Sequence, residues 1–147
     1  MLGPSTRAQR GEDPALLRTA GAKQVAPYAG VMIQSEVHAA GGETLHVYDS
    51  GEAGTTGIVY WQHGSGMSGL PPQPLIERAR EFGLRVVGHD RPGYGNSTAR
   101  QDRSVADVTD DLVAVLDWLG VESATTSELS AGDMHALGAV ALCPGRF

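Results

Sequence analysis

Two short runs constrain this chain more than anything else in it: Gly57-Ile58-Val59-Tyr60-Trp61-Gln62 and Leu84-Arg85-Val86-Val87-Gly88-His89. Each is apolar, β-branched or aromatic with little alternation, the pattern of a strand covered on both faces. Such a strand needs helices above and below it, so the pair predicts an α/β fold with a mainly parallel sheet and flanking helices. The intervening residues agree with this. A Gly/Pro-rich loop at 63–74 leads into a helix over 75–82, which Gly83 stops.

The rest of the chain fits around that unit. Residues 36–39 and 44–49 read as two strands about the turn Gly41-Gly42. The clearest helix covers 104–119. Ser104 and Asp107 form a capping box, and Val105, Val108, Leu112, Val115, Leu116 and Leu119 share one face. Gly120 ends it. A weak strand at 123–129 runs directly into a helical pattern at 131–142, closed by Pro144. Residues 1–34 are rich in Gly, Ala, Pro and charge and read as a loose extension with a short helix at 14–19; residues 35–147 read as one domain. In open α/β sheets ligands sit at the carboxyl ends of the strands, which here are the loops at His63, Asp90 and Ser130.

Composition removes several classes of function. The net charge is −6 and no basic face is apparent, so nucleic acid is a poor partner for this chain. A single cysteine, Cys143, forbids an internal disulfide and any Cys-rich metal motif. The first residues lack the apolar core of a secretory signal, and no run approaches the roughly 18 apolar residues of a membrane span. A cytoplasmic protein with no membrane partner is the expectation. No metal site is readable: His38 and His46 could meet across the hairpin, but a third ligand is missing.

The first loop, His63-Gly64-Ser65-Gly66-Met67-Ser68-Gly69, admits three readings. It can be a glycine turn that presents a backbone N–H to a developing oxyanion. It can be the G-x-G-x-x-G of a dinucleotide site, with Asp90 ending the next strand about where a ribose-binding acid belongs. Or it can be a plain turn. Against the second stand Pro71, Pro72 and Pro74, which prevent the loop from running straight into a phosphate-binding helix. The second loop is Asp90-Arg91-Pro92-Gly93-Tyr94-Gly95-Asn96-Ser97, and the third is Glu128-Leu129-Ser130-Ala131-Gly132 at a strand-to-helix junction.

Taken in order, the three loops resemble those of the N-terminal half of the α/β-hydrolase fold family. The octet at 90–97 is similar to its D-x-x-G-x-G-x-S loop, an architectural marker carried here by Asp90, Gly93, Gly95 and Ser97. The string at 128–132 is similar to its nucleophile elbow, G-x-S-x-G. The resemblance implies Ser130 as nucleophile, with the backbone N–H groups of Ser65 and Ala131 as oxyanion hole and His63, Gly64, Gly66 and Gly132 in support. It implies hydrolysis of a small-molecule ester or amide through an acyl-enzyme, with no cofactor. An Asp in place of Ser130 would instead have implied dehalogenase or epoxide hydrolase chemistry.

Two residues depart from the pattern: Glu128 stands for the first glycine of the elbow, and Asp133 for a common third one. A Glu at 128 is expected to crowd the turn or place a charge beside it. Ser130 could also be a plain N-cap of the last helix. An activated Ser needs a base and an acid to orient it, following in the order Ser, acid, His. Downstream of Ser130 there are only Asp133 and His135, both too close along one helix. The chain therefore reads as an incomplete serine hydrolase, inactive by itself. The alternative is a truncated or degenerate relative that acts in binding or assembly. In either case the sheet should end at the strand before Ser130, and an exposed apolar edge there should promote self-association.

Overall fold

A computed structural model describes residues 32–51 and 55–147. The short helix expected at 14–19 lies outside them. Five strands form one sheet in the order β1-β2-β4-β3-β5, with β1 at Ile33–His38, β2 at Thr44–Asp49, β3 at Gly57–Gln62, β4 at Leu84–His89 and β5 at Thr125–Glu128. β1, β2 and β4 pair antiparallel, whereas β4, β3 and β5 run parallel. Three helices flank the sheet: α1 at Gln73–Glu81, α2 at Val105–Trp118 and α3 at Gly132–Leu142.

The two unalternating runs are the central strands, and their faces explain the lack of alternation. Val59 and Val86 pack with Ile76 and Ala79 of α1. Ile58, Tyr60 and Val87 face the other way, into a larger core with Val108, Leu112, Val115 and Leu116 of α2 and Ala139 of α3. Each central strand thus loses apolar surface to water on both sides.

Element boundaries differ from the sequence reading where local chemistry is permissive. β1 begins at Ile33, two residues inside the stretch read as extension. α1 starts at Gln73, before Pro74 rather than after it, because a first-turn proline lacks only an N–H that has no helical partner anyway. β5 is shorter than expected. It lies at the sheet edge, as anticipated, but its residues are Thr, Thr, Ser and Glu, so the edge itself is polar and not apolar. Exposed apolar groups cluster instead on Leu129 and on α3, at Met134, Leu137, Val140 and Leu142, with Ile33, Met67, Phe82 and Trp118 exposed elsewhere. Among the described residues, no helix is long and apolar enough to cross a membrane.

Candidate active site

Because β3, β4 and β5 are parallel, the loops that follow them emerge at the same end of the sheet. The turn after β5 is the tightest of the three. Ser130 has φ +55, one of two non-glycine residues among those described with a left-handed backbone. That conformation costs an L-residue about 1–2 kcal/mol, and it lifts the side chain out of both the strand before and the helix after. Ser130 is exposed and its hydroxyl makes no hydrogen bond among the described residues. The N-cap of α3 is Ala131, and no side chain caps it. Ser130 is therefore not the helix cap that its residue type allowed.

Packing accounts for Gly132. A Cβ there would collide with the carbonyl oxygen of Gln62, so the start of α3 lies directly against the end of β3. Glu128 causes none of the crowding expected of it: it lies exposed on the edge strand, with only β3 beside it. Asp133 is likewise exposed, in the first turn of α3, where a negative charge suits the helix dipole.

The first loop folds over this turn. A Cβ on Gly64 would lie 3.2 Å from the carbonyl oxygen of Leu129 and 3.5 Å from Cβ of Ser130. The backbone N–H groups of Ser65 and Ala131 have no acceptor among the described residues. His63 is 1% exposed and acts as a strut. Its Nε2 accepts from the Arg91 N–H at 3.2 Å, so its Nδ1 carries the proton and donates to the Gly64 carbonyl at 2.8 Å. Burial, reinforced by the Arg91 charge, lowers its pKa to about 4. Arg91 braces the same loop from below, with Nη1 donating to the His63 carbonyl at 2.6 Å and Nη2 to that of Gly64 at 3.4 Å. A Cβ on Gly66 would meet nothing within 4 Å.

Asp90 is fully occupied by architecture. Its carboxylate accepts from the N–H of Gly69 at 2.6 Å, the N–H of Asn96 at 2.9 Å and the hydroxyl of Tyr48 at 3.2 Å. Gly95 lets the loop pass over that carboxylate, and the Ser97 hydroxyl closes it by donating to the Asp90 carbonyl at 2.5 Å. At φ +85, Gly93 turns the chain. Asp90 is wholly buried with both oxygens engaged, so it cannot meet a ribose, and α1 begins four residues beyond Gly69. The dinucleotide reading of the first loop is thereby overturned.

None of the described histidines reaches Ser130 by hydrogen bond. His89 is buried against the hydroxyl of Tyr60, 2.9 Å from Nδ1, and burial lowers its pKa to about 3. His135 is buried beneath the start of α3 with Nδ1 unpartnered, and burial lowers it to about 4. His38 and His46 do not meet across the hairpin: His38 pairs with Thr44, and His46 stands opposite Glu36. Among the described residues no group of three His, Cys, Asp or Glu is placed to hold a metal.

Sequence reasoning missed the polar foundation of the site. The Arg91 brace was invisible because the octet was read for its glycines and its acid. An Arg at the end of a buried strand was the available signal, since such a charge must find acceptors. Asp111, 1% exposed on α2, was likewise missed beside the apolar stripe.

No protein-family model matches the chain. An epoxide hydrolase of Caballeronia sordidicola is 32% identical over 112 residues, covering 74% of this chain and 33% of that protein. A bifunctional esterase/perhydrolase of Acinetobacter calcoaceticus is 34% identical over 76 residues, covering 51% and 28%. Among solved structures, epoxide hydrolase A from Mycobacterium thermoresistibile superposes with a TM-score of 0.71 at 26% identity, over 79% of this chain and 37% of that one. An epoxide hydrolase from Vigna radiata superposes with a TM-score of 0.69 at 22% identity, over 79% and 36%, a likeness of fold. The chain spans about a third of the length of the curated relatives it matches.

Proposed function

The chain belongs to the α/β-hydrolase fold family, and from that membership we propose that it carries the nucleophile and oxyanion hole of a serine hydrolase acting on esters or amides. The observation that carries this reading is the left-handed Ser130, with Gly64 packed beside it and two unused N–H groups, those of Ser65 and Ala131, in the flanking loops. A carbonyl carbon held at Oγ would develop its negative charge on oxygen, where those two donors can bind it. Collapse of that adduct expels the alcohol or amine and leaves an acyl-Ser130, which water then cleaves to the acid. Two proton transfers are needed: one off the Ser130 hydroxyl and one onto the leaving group. A serine at this position favours ester or amide cleavage over the epoxide opening named for some of the relatives, which calls for a carboxylate nucleophile.

A non-catalytic role is the second reading, favoured by one observation. Among the described residues Ser130 has no base within hydrogen-bond reach, and His63, His89 and His135 are buried and neutral. We therefore expect this chain to show no more than trace hydrolysis of 4-nitrophenyl acetate. Slow acylation should be detectable by intact mass with an activated ester and absent in Ser130→Ala. Robust turnover lost in Ser130→Ala would contradict incompleteness. Equal acylation of both proteins, with the label on other residues, would remove Ser130 as nucleophile.

A further inference from the structure

The cations around the candidate site are not balanced by nearby carboxylates. Arg91 is 1% exposed and spends its guanidinium on carbonyl oxygens, leaving Nε without a partner. Arg103, just ahead of the α2 cap, is half-buried and lies over the Tyr94 ring at 5.7 Å. Arg91 lies 5.2 Å from the same ring, and His63 meets it edge-on at 4.9 Å. Elsewhere Arg78, Arg85, Arg100 and Arg146 are each in a salt bridge with Asp or Glu, and the exposed Arg80 has none among the described residues. Among the described residues, no carboxylate lies within ion-pair distance of Arg103.

The acids nearby offset this field only in part. Asp90 is turned onto Gly69, Asn96 and Tyr48. Asp111 senses Arg103, but burial raises its pKa to about 7, so it is only partly charged at neutral pH. Arg91 and Arg103 act electrostatically on His63, His89 and His135, opposed at His63 by Asp90. Among the described residues, Arg91 and Arg103 thus lie near these loops without a carboxylate in ion-pair contact, in a chain of net charge −6.

We infer that Arg103, seated on Tyr94 at the rim of the site, selects substrates that carry a carboxylate a few bonds from the scissile ester or amide. This rests on the reading of Ser130, Ser65 and Ala131 as the reacting centre. A guanidinium in cation–π contact with a ring keeps its N–H groups free for the two-pronged contact that a carboxylate offers. Partial burial strengthens that contact over one in open water. A neutral ester of the same size would leave the charge unanswered.

The test is a titration of the ¹⁵N-labelled chain with monomethyl succinate and, separately, dimethyl succinate, following the amides of Ser65 and Ala131 and the Nε–H of Arg103. The monoanion should shift all three and bind at least about tenfold more tightly than the diester. Arg103→Met should erase the difference and Arg103→Lys should keep part of it. Added NaCl should narrow the gap in the wild-type chain, a readout that stands even if Arg103→Met fails to fold. If both esters shift Ser65 and Ala131 with equal affinity, or if the gap ignores salt, the assignment of Arg103 falls while the reacting centre stands. If neither ester moves Ser65 or Ala131, the reading of that centre falls with it.

Discussion

Ser130 and Gly132 make opposite demands on the same turn, and each can be checked by one substitution. Ser130 holds a left-handed backbone that a side chain makes costly. Ser130→Gly should therefore leave stability unchanged or raise it by about 1 kcal/mol in urea unfolding, while abolishing acylation. A loss of stability would mean that the serine side chain contributes a contact the structure lacks. Gly132 has no such latitude, because an added methyl would strike the Gln62 carbonyl oxygen. Gly132→Ala should cost roughly 1–3 kcal/mol in the same assay. From sequence the S-x-G spacing was legible and the reason for its glycine was not. Residues 62 and 132 are far apart along the chain, and only the parallel packing of β3 beside β5 brings them together.

At the scale of elements, the most local signals were the most readable. The capping box foreseen at Ser104 is present in both directions: Ser104 Oγ accepts from the Asp107 N–H at 3.3 Å, and the Asp107 carboxylate accepts from the Ser104 N–H at 2.5 Å. Ser104→Ala should lower stability by about 1 kcal/mol. The start of α1 was misjudged because first-turn proline is tolerated, and periodicity alone cannot tell Pro74 inside a helix from Pro74 before it. The edge strand was judged apolar when its side chains are polar, since β5 is covered on one flank only. The apolar excess lies on α3, where Met134 and Leu137 are 58% and 70% exposed. Sedimentation of the chain should show concentration-dependent association, and Met134→Lys with Leu137→Lys should weaken it. Association undiminished in that double variant would move the contact to the β5 backbone edge.

Across the whole molecule, buried ionisable groups set the response to pH. His63, His89 and His135 are held at about 4, 3 and 4, chiefly by burial, against 6.5 for an exposed histidine. Below 6.5 the unfolded chain takes up protons that the folded chain refuses, so stability is full above that value and falls as the pH drops toward 4. Asp111 opposes them. Its carboxyl is raised from 3.8 to about 7, so its contribution is present at low pH and lost as pH rises through that interval. Three groups against one leave a net uptake of about two protons on unfolding near pH 5, and fewer toward pH 4 and 6.5. Urea midpoints over that range should rise with pH accordingly, and Asp111→Asn should steepen the slope toward three protons. A flat profile would show that the histidines are not buried as described.

What the sequence determined by itself is the part of this protein written in short-range pattern. The two unalternating runs dictated central strands, the stripe on 104–119 dictated a helix, and the order of three loops identified the fold family. Each depends on neighbours within a few residues, where backbone geometry and burial leave a fixed period. Tertiary structure alone decided which polar groups share a space. Asp49 and Arg85 form a buried two-pronged pair, with Nε to Oδ1 at 2.8 Å and Nη2 to Oδ2 at 2.6 Å, between strands that are not consecutive in the chain. Arg91 finds its acceptors in another loop, Asp90 is taken up by three, and Glu128 escapes the crowding expected of it at an open edge. A buried charge must find a partner, but nothing in its local sequence says which one, because that choice is made by the packing of the sheet.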